Sequence, residues 1–178
     1  MTARLLPMQA LIIAIVVVWV AMDQALKAWT VANIPLNAGT DYLIAVPGFL
    51  SLTHVLNLGA AWSLFSSATP VLIALRIVVG TGIFIWLLRT PKQPALNVVA
   101  YSLIVGGAFG NAIDGVLRGH VVDMLQSHWL SAIYKLLGFG NVFPIFNIAD
   151  IGVVSGVLLL LVATILEDRK RARDPLKT

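Results

Sequence analysis

Residues 143–166 read FPIFNIADIGVVSGVLLLLVATIL, an apolar run broken by one acid, Asp150. About 20 such residues suffice for a helix to cross the hydrocarbon of a bilayer, so the run is expected to be a membrane span. Asp150 is bracketed by Phe146, Ile148 and Ile151 and is expected about one and a half turns inside one end. An ionisable side chain at that depth costs a few kcal/mol or more and needs polar company. Asn147, three residues earlier, lies on the same helical face.

Working outward, three more runs reach spanning length: 5–22, extending to about residue 30, then 68–88 and 95–113. The expected architecture is an α-helical integral membrane protein, a single domain over 1–178 with four transmembrane helices. Residues 31–67 form an outer β region, 114–142 an outer loop with a short interfacial helix, and 167–178 a basic cytoplasmic tail. Composition agrees. Of the 178 residues 59% are hydrophobic and 11% charged, where about 25% charged is usual in soluble domains. Mean hydropathy is +0.93, which excludes disorder.

The outer β region rests on Pro35, Gly39, Pro47 and Gly48, which break the chain around two short strand-like pieces, 42–46 and 49–55. They read as a small extracytoplasmic sheet, a cradle. In residues 127–138, Trp129, Ile133, Leu136 and Leu137 share one helical face, flanked by His128 and Lys135. This is a helix too short to span, lying in the interface or buried inside the protein.

Counting Lys and Arg sets the orientation. With both termini cytoplasmic, that side holds Arg4, Arg89, Lys92, Arg169, Lys170, Arg171, Arg173 and Lys177, against Lys27, Arg118 and Lys135 outside. Arg76 falls within the second span and either pairs with a polar partner or snorkels. Arg4 and the apolar run after it resemble a signal peptide. Asp23-Gln24-Ala25-Leu26-Lys27 follows without a clean small-x-small cleavage site, so a retained helix is expected.

There is no cysteine, and His54, His120 and His128 lack the spacing that places two imidazoles on one helical face. No metal and no cofactor is expected. Half of the net charge of +4 comes from the basic tail, as a topology signal rather than a nucleic-acid site.

The acids can be placed one by one. Glu167, Asp168 and Asp174 belong to the tail and Asp41 to the outer region; Asp23, Asp114, Asp123 and Asp150 gather at one outer depth. Asn111 precedes Asp114 by three residues, as Asn147 precedes Asp150. Gly106/Gly110 and Gly152/Gly156 repeat the GxxxG spacing that lets two helices approach. Two carboxylates brought together cannot both ionise easily, so one proton is shared, and one group serves as base while the other serves as acid. The same acids would also serve as a structural hydrogen-bond cluster, or as cation ligands in a small cation-coupled transporter or channel subunit.

Five blocks carry a resemblance: Asp23-Gln24-Ala25-Leu26-Lys27; Asn57-Leu58-Gly59-Ala60-Ala61-Trp62-Ser63; Gly106 through Asp114; Val121-Val122-Asp123; and Phe146-Asn147-Ile148-Ala149-Asp150. In order and spacing the chain resembles the bacterial lipoprotein signal peptidases (signal peptidase II), aspartic endopeptidases that cut prolipoproteins before a diacylglyceryl-modified cysteine. The resemblance implies that Asp123 and Asp150 are the catalytic pair. It implies that Asn57, Gly59, Asn111, Arg118 and Asn147 contact substrate, and that Asp23, Lys27 and Asp114 give support. It further implies a diacylglyceryl prolipoprotein substrate, membrane lipid as surroundings, sensitivity to globomycin-like inhibitors, and a monomer in the bacterial cytoplasmic membrane with its site near the outer leaflet. Three positions depart from the family pattern. Gly115 stands where the family has Arg, leaving Arg118 as the nearest replacement, Trp62 replaces a smaller aromatic, and Met124 replaces Phe.

Overall fold

The computed structural model describes residues 7–58, 69–90 and 92–173. The expected span starts at residues 5 and 68, and Arg4, Gly59, Trp62, Asp174 and Lys177, lie outside the described residues. Four long helices appear: α1 (Pro7–Asn33), α2 (Thr69–Arg89), α3 (Ala95–Arg118) and α5 (Ile148–Arg173). Between them lie β1 (Leu43–Val46), β2 (Leu50–Asn57), β3 (Val121–Ser127) and the short α4 (His128–Leu136). The shortest long helix, with 21 residues, is about 32 Å long, enough to cross hydrocarbon. Outward faces are apolar and open: Val71, Val78, Val154, Leu158 and Leu161 are all exposed, as suits contact with lipid rather than water.

Helix α3 is the hub, packed against α1, α2 and α5. Its small residues explain the closeness. A Cβ placed on Gly107 would collide with the Ala149 carbonyl and lie 2.8 Å from Val153 Cγ2; one on Gly110 would lie 3.1 Å from Ala149 Cβ. From the other side, a Cβ on Gly156 would lie 2.6 Å from Ile104 Cγ1. Of the four glycines expected at this contact, Gly106 faces elsewhere: its nearest neighbour is Trp19 Cβ on α1, at 3.0 Å. Gly107 takes its place toward α5. The Trp19 indole in turn donates to the Ile148 carbonyl at 3.1 Å, tying α1 to the start of α5.

The sheet has three antiparallel strands in the order β1-β2-β3. The third was expected to be loop. Gly119, at φ 74°, ends α3 in the left-handed region and donates to the Gly115 carbonyl at 3.1 Å, turning the chain directly into β3. All seven residues of β3 are buried, with Val55 opposite Asp123 and Asn57 opposite Val121.

Two further boundaries move. Helix α1 runs on to Asn33, a few residues past the expected extension to about residue 30, and keeps Asp23, Lys27 and Thr30 buried. Helix α5 begins at Ile148 rather than at residue 143, because Phe146 pairs with β3: Met124 and Leu125 both donate to its carbonyl, at 3.1 and 2.8 Å. Asp150 therefore sits in the first turn of α5. Helix α4 answers the open choice about the 127–138 segment. None of its residues is buried, and Trp129, Ile133 and Leu136 present an exposed apolar face.

The glycine contacts make a direct prediction. Gly107→Val is expected to lower Tm in detergent by about 5 °C or more, since overpacking costs about 1–3 kcal/mol. Gly82→Ala, with nothing near its Cβ, should leave Tm unchanged in the same melting assay.

Candidate active site

Asp123 comes from β3 and Asp150 from α5, and Asn147 bridges them. Its Nδ2 donates to Asp123 Oδ1 at 2.6 Å and to Asn111 Oδ1 at 3.1 Å, while its Oδ1 accepts from the Asp150 backbone N–H at 2.9 Å. Asp150 Oδ2 reaches back to the Asn147 N–H at 3.3 Å. This reciprocal pair is a capping box, in which residues three apart satisfy each other's orphan donors at a helix start. The Asn147/Asp150 spacing is thus a helix cap rather than one face of a longer helix. The remaining carboxylate oxygens are also held. Asn57 Nδ2 donates to Asp123 Oδ2, and Asn111 Nδ2 to Asp150 Oδ1, both at 2.9 Å.

Asp123 is 3% exposed. Burial pushes its carboxyl up from 3.8 to about 7, with the nearby Asp150 the next cause; the Asn57 and Asn147 amides and the Lys27 charge oppose the rise. A carboxyl with such a value can hold or release a proton near neutrality.

Behind this pair lies a wholly buried ion cluster. Lys27 Nζ contacts Asp23 Oδ2 and Asp114 Oδ2, each at 2.8 Å, and donates to Asn111 Oδ1 at 2.9 Å. An ammonium has three protons, and all three find acceptors. Both acids also reach backbone, Asp23 through its far oxygen and Asp114 through the oxygen that meets Lys27. Asp23 Oδ1 accepts from the Ala149 N–H at 2.9 Å, and Asp114 Oδ2 also accepts from the Val122 N–H at 3.1 Å. Each supporting acid therefore holds the peptide N–H of the residue just before one of the paired aspartates.

Arg118, expected on the substrate side, pairs with Asp114 and reaches Gln24 Oε1 at 3.4 Å. Its guanidinium thus joins the supporting cluster. Gln24 was given no role by sequence reasoning, yet its Nε2 donates to Asp23 at 3.1 Å, the Gly110 carbonyl at 3.0 Å and Asp114 at 3.2 Å. Its place beside Asp23 in the first block was the available signal.

A second polar group lies beside the sheet. Ser51 Oγ approaches His128 Nε2 at 2.6 Å and donates to Asp41 at 2.7 Å, with Asp41 3.1 Å from the same Nε2. A nucleophile relay needs both imidazole nitrogens, one for serine and one for the acid. Here a single nitrogen meets both partners, so the group links β2, α4 and the turn before β1. Among the described residues, no three His, Cys, Asp or Glu side chains are placed to hold a metal ion.

With this geometry in hand, comparisons place the chain among known proteins. A family model described as signal peptidase (SPase) II matches residues 15–166. The lipoprotein signal peptidase of Deinococcus radiodurans is 48% identical over 159 residues, covering 89% of this chain and 81% of that one. That of Enterococcus faecalis is 38% identical over 171 residues, covering 96% and 95%. A solved bacterial membrane enzyme superposes with a TM-score of 0.76 at 29% identity, covering 95% of this chain and 93% of that one.

Lys27→Met tests the supporting cluster. It leaves buried Asp23 without a cation and Asp114 with Arg118 alone, and breaking a buried pair from one side costs about 3–5 kcal/mol. The expected outcome is a large loss of Tm together with loss of activity; an unchanged Tm would refute the assigned support.

Proposed function

The chain belongs to the signal peptidase II family, and we propose that it removes signal peptides from prolipoproteins by activating water between Asp123 and Asp150. The observation that carries this reading is the joint anchoring of two carboxylates, from different elements, on one asparagine. One of them has a carboxyl poised at about 7.

In this mechanism the two side chains share one proton. The ionised carboxylate takes a proton from water, whose oxygen adds to the scissile carbonyl carbon. The protonated carboxyl donates to the carbonyl oxygen, giving a gem-diol. Proton transfer to the nitrogen then breaks the C–N bond. The water oxygen ends on the signal peptide as a carboxylate, and both water hydrogens end on the amine of the modified cysteine.

Asn111 and Asn147 already direct their amides at the aspartates and at each other. We assign them to positioning the pair. Asn57, at the end of β2, together with Gly59 two residues on, is assigned the substrate backbone, whose peptide groups need partners once unwound within a membrane. Arg118 is assigned to holding Asp114. An apolar groove of about 740 Å³ between α1, α2 and α3, lined by Val16, Val20, Ile77, Phe84 and Ala112, suits acyl chains. The cut falls before the diacylglyceryl cysteine. By the Lys and Arg asymmetry both termini face the cytoplasm, so the sheet and α4 lie over the outer leaflet. Globomycin-like inhibitors would occupy the same site, and the enzyme acts as a monomer.

Asp123→Asn and Asp150→Asn are each expected to slow single-turnover cleavage of a lipidated precursor by about 10²–10⁴-fold. Near wild-type cleavage by either folded variant overturns the mechanism. The sign of the pH dependence follows from Asp123. Its proton is retained below about 7 and lost above, so wild-type cleavage is expected to fall as pH rises through that value. A rate still climbing well above it would contradict a shared proton.

A further inference from the structure

One membrane-depth charge has no part in the mechanism above. Arg76 lies seven residues, or about 10 Å, into α2 from Thr69. Its neighbours Leu75, Ile77, Val78 and Val79 are exposed to lipid, whereas Arg76 itself is half-buried. Its direction follows from the helix. Three residues before it, Ile73 fills the space beside Gly115 of α3; four residues after it, Gly80 lies against Ala108 and Phe109. Residues three and four apart share a helical face, so Arg76 belongs to the stripe that packs on α3. It falls between those two contacts, at the level of Asn111 and Ala112, and Asn111 is the residue that holds Asp150. The guanidinium is close enough to act electrostatically on Asp150. Among the described residues it has no hydrogen-bond or ion-pair partner, while Lys27 and Arg118 are already committed to Asp23 and Asp114.

Peptide hydrolysis creates a new anion where two aspartates already stand. The C–N bond breaks, the water oxygen remains on the acyl carbon, and the departing signal segment ends in a carboxylate. Neither committed cation is available to neutralise it. A guanidinium can, and its planar fork matches a carboxylate with two parallel hydrogen bonds.

We propose that Arg76 is the binding residue for the carboxylate of the released signal peptide, receiving it from the aspartate pair and setting the affinity for that product. The inference rests on the cleavage reaction proposed above. It concerns the product, so it can fail while that reaction stands.

The test uses the released signal segment of the assay precursor, synthesised as the free C-terminal acid and as the C-terminal amide. Each is titrated as an inhibitor of the full-length enzyme in detergent. Wild type is expected to bind the acid about tenfold more tightly than the amide, the scale of one modest charge interaction. Arg76→Gln should abolish that preference, and Arg76→Lys should keep part of it. The acid-to-amide ratio within one variant does not depend on how much protein folds, and the Lys variant preserves the charge if the Gln variant fails to fold. A wild type without preference, or Arg76→Gln with an undiminished one, overturns the proposal. Folded Asp123→Asn or Asp150→Asn enzyme that still cleaves would remove the underlying mechanism instead, a result separable from either.

Discussion

The Lys27 ammonium, buried between Asp23 and Asp114, is the interaction on which the rest of the site depends. Each acid uses one oxygen for Lys27, and each also accepts a peptide N–H beside the aspartate pair: Ala149, which precedes Asp150, and Val122, which precedes Asp123. One cation thereby sets the relative position of a helix start and a strand. Both acids are fully buried, so each needs a cationic partner; Lys27 serves both, and Arg118 adds to Asp114.

The bilayer makes this arrangement demanding. A buried charge without a partner is expensive, and an unpaired peptide group in hydrocarbon costs several kcal/mol. The chain answers both demands with the same residues. Asp23 satisfies an orphan N–H in the first turn of α5 while balancing Lys27, and Asn147 caps that helix while holding Asp123. The glycines of α3 and α5 let the helices approach closely enough for these short side chains to meet. Packing and polar satisfaction are therefore one design, and a change in either is felt at the aspartates.

Much of this was legible in the sequence because charge is so scarce in it. A run of about 20 apolar residues is a one-dimensional signal, and all four spans were readable for that reason. With few acids to place, Asp23, Asp114, Asp123 and Asp150 could be grouped by depth, and the resemblance gave Asp23 and Lys27 a supporting part. Strand β3 was not legible. Buried throughout, Val121–Ser127 shows no alternation between apolar and polar residues, and its partner β2 lies more than 60 residues earlier. The start of α5 was hidden because Phe143–Phe146 continue the apolar run, although Pro144 and the Asn147/Asp150 spacing are start signals in hindsight. The contacts of Lys27 with Asp114, and of Gly107 rather than Gly106 with α5, depend on how helices rotate against one another, which no local pattern records.

The central claim is that Asp123 and Asp150 address a single carbonyl. It is tested most directly by an experimental structure of the Asp123→Asn variant holding an uncleaved lipidated precursor. The account predicts the scissile carbonyl within about 3 Å, or one bridging water, of both side chains. A precursor seated with that carbonyl away from either residue, in an otherwise native fold, would contradict it.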